Sequence, residues 1–182
     1  MAGVCALVLL VQKGRKKFNS FLGYLVTRDG LKIGPENVEA VLKMPKSENV
    51  EGVRRFCGFV NYLSNFLPKL SDVLEPIRQL VRSETEWNWT STPDKAFETV
   101  QKLVTEAPTL AFYIPREELT IQCHASRTGP GAVLMQNDRP IAYASRVLSE
   151  TDTRYAQIEK EMLAIVFSLG NFTSFRLVVP SK

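Results

Sequence analysis

Prolines cut this chain into short pieces, and that sets the scale of what it can fold into. Its ten prolines include Pro35, Pro45, Pro68, Pro93, Pro108 and Pro140. A proline lacks an amide N–H and its ring disfavours a helical residue before it, so helices open at prolines and stop ahead of them. Pro35 therefore starts a short helix with Val38, Val41 and Leu42 on its apolar face, and Met44-Pro45 ends it. Ser47 or Asn49 is placed to cap a longer helix, in which Val53, Phe56, Cys57, Val60, Leu63 and Leu67 recur at helical spacing until Pro68 closes it. A third helix is expected over about Val73–Val81. Pro93 suits the first turn of a fourth, whose stripe is Ala96, Phe97, Val100, Leu103 and Val104, ended by Ala107-Pro108.

The remaining segments read as strands. Phe21–Val26, the turn Arg28-Asp29-Gly30 and Leu31–Ile33 form a hairpin pattern. Leu119–Cys123 alternates in polarity, followed after short turns by Gly131–Gln136 and Pro140–Ser145, which predicts a three-stranded meander. Ser149 or Thr151 then opens a helix with the stripe Tyr155, Ile158, Met162, Ile165, Leu169 and Phe172, and Asn171–Val179 could begin another strand. The fold class is α+β: a hairpin and small helical bundle, then an antiparallel meander backed by a long helix.

Composition narrows the function classes. With 182 residues, 45% hydrophobic and 23% charged, the chain can bury a core and does not carry the signature of disorder. Residues 1–82 hold 13 Lys/Arg against 7 Asp/Glu and residues 83–182 hold 10 against 12, so a basic half of +6 precedes an acidic half of −2. Such asymmetry suggests a polyanion-binding face on the first half. Cys5, Cys57 and Cys123 show no metal or disulfide spacing, and the expected setting is intracellular, cytoplasmic or nuclear. Met1–Val11 is apolar but too short to span a bilayer, which takes about 20 residues, and its positive cluster follows it where a signal peptide has it in front.

Read as ordered motifs, Phe21-Leu22-Gly23-Tyr24, Pro35 to Ala40 and Val53-Arg54-Arg55-Phe56-Cys57-Gly58-Phe59-Val60-Asn61-Tyr62-Leu63 resemble the primer-grip hairpin and thumb of the reverse transcriptase of gypsy-like LTR retrotransposons. Trp87, Trp89, Ala96-Phe97, Ala107 to Leu110, Gly131 to Leu134, Pro140 to Arg146 and Glu159 to Val166 resemble the tethered ribonuclease H-like domain of the same Pol polyprotein. The resemblance implies three parts, truncated at both ends: residues 1–34 as a palm remnant and primer-grip-like hairpin, 35–82 as thumb-like helices, and 83–182 as a truncated ribonuclease H-like domain. The intact family polymerises DNA on an RNA template and hydrolyses the RNA of the hybrid with Mg²⁺.

The catalytic groups are another matter. No Asp-Asp pair occurs anywhere in the chain, so the polymerase carboxylates of the family are missing. Where the family has its first ribonuclease H aspartate, in Cys-Asp-Ala-Ser, this chain reads Cys123-His124-Ala125-Ser126. Imidazole suits zinc or copper, whereas Mg²⁺ takes oxygen ligands, so His124 is expected to be non-functional there. Glu161 matches the second catalytic carboxylate and is insufficient alone. No metal site and no cofactor are expected. The resemblance places template-primer RNA/DNA contacts at Phe21, Leu22, Gly23, Tyr24, Arg54, Arg55 and Lys69, with Lys43 and Lys46 beside them. No membrane contact is expected, and no protein partner is indicated. The alternatives are a domesticated protein-interaction module and an unstable fragment with an open sheet edge.

Overall fold

The computed structural model describes residues 20–82 and 87–176. Three short antiparallel strands, β1 (Ser20–Phe21), β2 (Tyr24–Val26) and β3 (Leu31–Ile33), come first. Helices α1 (Pro35–Lys43), α2 (Val50–Tyr62), α3 (Leu70–Gln79) and α4 (Ser91–Thr105) follow, with a 3₁₀ turn at Ser64–Phe66. The meander is β4 (Thr120–Ala125), β5 (Pro130–Gln136) and β6 (Arg139–Ser145), after which come the one-turn α5 (Glu150–Thr153) and α6 (Gln157–Arg176).

Several boundaries differ from those expected, each for a local reason. Phe21–Val26 is not one strand, because Leu22 and Gly23 take positive φ of 48° and 72° and fold β1 back on β2. Asn49 is the cap of α2, its side chain accepting the Gly52 N–H at 2.8 Å. That helix stops at Tyr62 rather than running to Leu67, since Leu67 precedes Pro68 and is held extended. α3 starts at Leu70, earlier than expected, and Leu70, Leu74 and Ile77 carry the buried stripe onward.

The last helix is split in two. Ser149 and Asp152 form a reciprocal capping box that completes the single turn of α5. In α6 the anticipated stripe lies mostly outside: Ile158 is 70% exposed, Met162 57% and Leu169 49%, and of that set only Phe172 is buried. The buried line is instead Ala164, Ser168, Phe172 and Phe175, where small residues let α6 approach β4 and β5. Asn171–Arg176 is helical and not a strand. Residues 1–11 and 177–182 lie outside the described residues.

One hydrophobic core runs through the whole of this. Phe56 of α2 meets Phe97 of α4 with ring centroids 4.8 Å apart, and Trp89 stands edge-on to Phe97. Leu31 and Leu110 exchange backbone hydrogen bonds of 2.8 Å each, tying β3 to the segment that leads into the meander. Gly30 permits this approach, because its φ is 145° and any Cβ would collide with the Leu110 carbonyl. Leu134 and Ile141 carry the same core into the sheet.

Candidate functional site

The register of the meander decides which side chains share a face. Gln122, Val133 and Tyr143 stand opposite one another on β4, β5 and β6, as do His124, Gly131 and Ser145. Residues directly opposed point to the same side. The segment entering α3 passes over that side, so that Pro68, Lys69 and Asp72 wall a cleft of about 260 Å³ above these residues.

His124 and Glu161, far apart in sequence, do meet. His124 Nδ1 lies 3.5 Å from Glu161 Oε1, with the two side chains 65% and 37% exposed. Glu161 is already held by protein donors: its Oε2 accepts the Ala125 N–H at 3.1 Å and its Oε1 accepts from Gln157 Nε2 at 3.0 Å. Gln157 Nε2 also donates to the Ala125 carbonyl at 3.1 Å. The pair therefore fixes the start of α6 against the end of β4.

These donors do not fit Mg²⁺. A hard cation needs several oxygens in octahedral array, and the site offers one engaged carboxylate and one imidazole. Among the described residues no three of His, Cys, Asp or Glu cluster to hold a metal ion.

A second polar cluster gave no signal in the sequence. Asp72 Oδ1 accepts from the Ser126 hydroxyl at 2.7 Å and from the Thr128 hydroxyl. Ser126 Oγ in turn receives the Gly129 N–H at 3.0 Å. Nearby, Ser145 Oγ accepts the Ser71 N–H at 3.1 Å. These bonds fasten α3 to the β4–β5 turn and to β6 across more than fifty residues of chain. The sequence shows a turn between the first two meander strands, but nothing in it names Asp72 as that turn's partner. Gln136 was missed as well: buried, it donates to the Ile114 and Glu117 carbonyls and accepts the Ile114 N–H at 2.9 Å.

The basic residues divide into occupied and open ones. Lys43 pairs with Glu39 at 2.5 Å, Lys46 with Asp94 at 2.5 Å, and Arg55 with Glu51 at 3.4 Å. The Lys46 ammonium and the Trp89 indole N–H hold the Asp94 carboxyl below the ordinary carboxylate range. Arg54 is exposed with no ion pair among the described residues. Lys69 is exposed at the mouth of the cleft, its backbone in the left-handed region with φ of 52°.

In the hairpin, Tyr24 is buried and stacks on Tyr62 and Phe66 at 5.4 and 5.3 Å, and burial pushes its phenol well above the ordinary value. The Tyr62 hydroxyl donates to the Leu22 carbonyl, and the Gly23 carbonyl accepts from Asn37 Nδ2 at 2.8 Å. Leu22 is 62% exposed, so of Leu22, Gly23 and Tyr24 it is the side chain most open to a ligand. Trp89 packs into the core, whereas Trp87 sits at the surface, 36% exposed. No helix among the described residues is long and apolar enough to cross a membrane.

Comparison with known proteins bears on the fold and the family. Residues 89–178 match the model of the RNase H-like domain found in reverse transcriptase. The retrovirus-related Pol polyprotein from transposon opus of Drosophila melanogaster is 35% identical over 170 residues, covering 85% of this chain and 17% of that protein. The transposon Tf2-3 polyprotein of Schizosaccharomyces pombe is 30% identical over 176 residues, covering 92% of this chain and 13% of its own length. This chain thus spans less than a fifth of these relatives. Among solved structures, a foamy viral protease-reverse transcriptase in complex with an RNA/DNA hybrid superposes with a TM-score of 0.78 at 22% identity, over 87% of this chain and 22% of that one. The same viral protein without its hybrid, in complex with dsDNA, gives 0.77 at 22% identity, over 87% and 34%. The fold is therefore shared with that protein, and the sequence relatives and the domain match together say whose it is: the chain belongs to the Pol polyproteins of gypsy-type retrotransposons.

Proposed function

We propose that this chain contacts the backbone of an RNA/DNA template-primer and does not cleave it. The observation that carries this reading is the His124–Glu161 pair. It puts an imidazole where the family has a carboxylate and leaves Glu161 spent on Ala125 and Gln157. Two-metal hydrolysis needs oxygen ligands to hold both ions, and this donor set does not supply them.

Nucleic-acid contact is supported from two sides. Solved neighbours of the same fold are complexes with RNA/DNA hybrid and dsDNA. On this chain, Arg54, Arg55 and Lys69 are exposed cations, and phosphate contacts need little more than positive charge in place. Phe21, Leu22, Gly23 and Tyr24 would border the strand end through backbone and through Leu22, given that Tyr24 is buried. We retain residues 1–34, 35–82 and 83–182 as the functional division, with the last part matching the ribonuclease H-like region.

The test is a labelled RNA–DNA hybrid given to the purified chain with Mg²⁺ or Mn²⁺, beside a binding titration at two salt concentrations. The expected result is no cleavage, with affinity falling about 40-fold between 50 and 200 mM salt if about three phosphates are neutralised. Cleavage that disappears on Glu161→Ala would overturn the inactivity. No binding even at low salt would overturn the nucleic-acid reading and favour retention as a protein-interaction module.

A further inference from the structure

The cleft between α3 and the meander, whose lining includes His124 and Lys69, has so far been given no occupant, and we propose that it receives one unpaired nucleotide of a bound strand. The inference rests on the nucleic-acid reading above and gives it a specific subsite. Its size comes first. At about 260 Å³ it falls just under the range of pockets that enclose drug-sized ligands, about 300–1,000 Å³. One base with its sugar is of that order, whereas a base pair or a dinucleotide is too large.

The lining suits a base more than it suits a purely apolar guest. Val133 and Pro68 give apolar walls, and the half-buried aromatic ring of Tyr143 lines the same cleft. Aromatic faces of this kind stack any base, because every base has a π-face. The rim is polar on three sides. Gln122 is exposed, and no hydrogen bond ties its amide to another described residue. Asp72 uses Oδ1 for Ser126 and Thr128, which leaves Oδ2 without a protein partner among the described residues and able to accept from an exocyclic amine or a ring N–H. Lys69 supplies a cation for the nucleotide's phosphate, at the N-terminus of a ten-residue helix whose dipole has the same sign. Fixed bonds hold these groups in place: the Asp72 cluster on one wall and Ser71 to Ser145 beneath it.

Gly131 offers a clean way to close the cleft. It lies at the cleft floor on β5, and a Cβ built there meets nothing within 4 Å. Gly131→Leu therefore grows into empty space and leaves the backbone alone. Tyr143→Ala removes the stacking face instead.

The experiment measures affinity, by fluorescence anisotropy, for two hybrids that differ only in a single-nucleotide overhang. A third hybrid carries an abasic residue as the overhang. Wild type is expected to bind the overhang hybrid about 10-fold tighter than the blunt one. That ratio should fall to about 1 for the abasic overhang, for Gly131→Leu and for Tyr143→Ala, with Lys69→Gln lowering it in part. Thermal melting of Gly131→Leu shows whether the fold is intact, so a loss of ratio in that variant does not hang on Tyr143→Ala remaining folded. Equal wild-type affinity for blunt and overhang hybrids would overturn the cleft proposal while leaving nucleic-acid binding standing. So would a 10-fold preference that persists in Gly131→Leu. Binding to none of the hybrids would remove the reading on which the proposal rests.

Discussion

Replacing His124 by aspartate tests whether charge at this one position is what separates the chain from a metal-binding centre. In the wild type an imidazole nitrogen sits 3.5 Å from Glu161 Oε1. After His124→Asp two carboxylates face each other at similar range. Like unit charges at 4 Å repel by about 1 kcal/mol in water and about 4 kcal/mol at an effective dielectric constant of 20. With the two side chains 65% and 37% exposed, screening places the cost toward the lower figure, about 1–2 kcal/mol. For a chain of this size that corresponds to a fall in Tm of roughly 2–8 °C. A divalent cation between the carboxylates would reverse it. At tenfold excess over its dissociation constant, bound Mg²⁺ returns about 1.4 kcal/mol. The assay is differential scanning fluorimetry with and without 10 mM MgCl₂, at ionic strength matched with NaCl. The variant should melt lower than wild type and recover with Mg²⁺, while wild type should not respond. The recovery should vanish when Glu161→Gln is added. A wild-type response to Mg²⁺ as large as the variant's would refute the argument, because the imidazole would then be no obstacle to the ion. Even with its carboxylate, the variant has two of the family's ligands and should still not cleave a hybrid.

Three further outcomes follow from the packing and the charges. Ile158→Lys and Val166→Lys on the outer side of α6, where the residues are 70% and 66% exposed, should each change stability by less than about 0.5 kcal/mol, whereas Leu134→Ala in the sheet core should cost about 3–5 kcal/mol in urea unfolding. Gln136→Leu would remove the partner of the Ile114 N–H and of the Ile114 and Glu117 carbonyls; with Ile114 itself 43% exposed, water replaces part of what is lost, and the cost should be about 1–2 kcal/mol by the same measurement, at the low end for unsatisfied groups. Asp94 and Asp152 both titrate below the ordinary carboxylate value, through Lys46 and Trp89 in the first case and the Ser149 hydroxyl and N–H in the second; a lowered folded value means the stabilisation is whole above the unfolded carboxylate value, near pH 4, and is lost as pH falls through the folded values, so Asp94→Asn with Asp152→Asn should flatten the acid limb of a Tm-against-pH curve and leave its neutral plateau similarly shaped.

Much of this architecture could be read from spacing alone because local rules decide local elements. Pro35 and Pro45 set helix limits that the structure keeps to within two residues, whereas the helix expected to run to Pro68 stops at Tyr62, and the alternation of Leu119–Cys123 placed the first meander strand correctly. The errors fall where a second element chooses the outcome. Periodicity correctly announced a helix after Ser149, yet it could not say which side of α6 the sheet would take. The side taken carries Ala164 and Ser168 rather than Met162 and Leu169, because close approach to β4 and β5 favours small side chains. The turn at Leu22-Gly23 was hidden for a similar reason: a leucine at positive φ has no sequence signature, and the Leu22 and Gly23 carbonyls accept from Tyr62 and Asn37, distant in the chain. His124 and Glu161 were named in advance from their motifs, and the structure adds that they touch. Asp72, Gln122 and Tyr143 could not be named, since what makes them neighbours is the register of three strands and the path of α3 above them.

That contrast bears on how, under the function proposed above, a chain of this kind would lose one capacity and keep another. Metal-assisted hydrolysis depends on a few oxygens within bonding range of the same ions, so on the reading proposed above a single exchange of carboxylate for imidazole at position 124 would remove a required ligand. A surface that follows a nucleic-acid backbone is spread over many residues, and each exposed cation contributes a small, salt-dependent share. Loss of any one of Arg54, Arg55 or Lys69 would weaken such a surface without abolishing it. The shape of that surface would depend in turn on the bonds of Asp72 to Ser126 and Thr128 and of Ser71 to Ser145. On that reading catalysis is the fragile property of the fold and substrate-path geometry the robust one, which is why binding and cleavage have to be measured separately on the same hybrid.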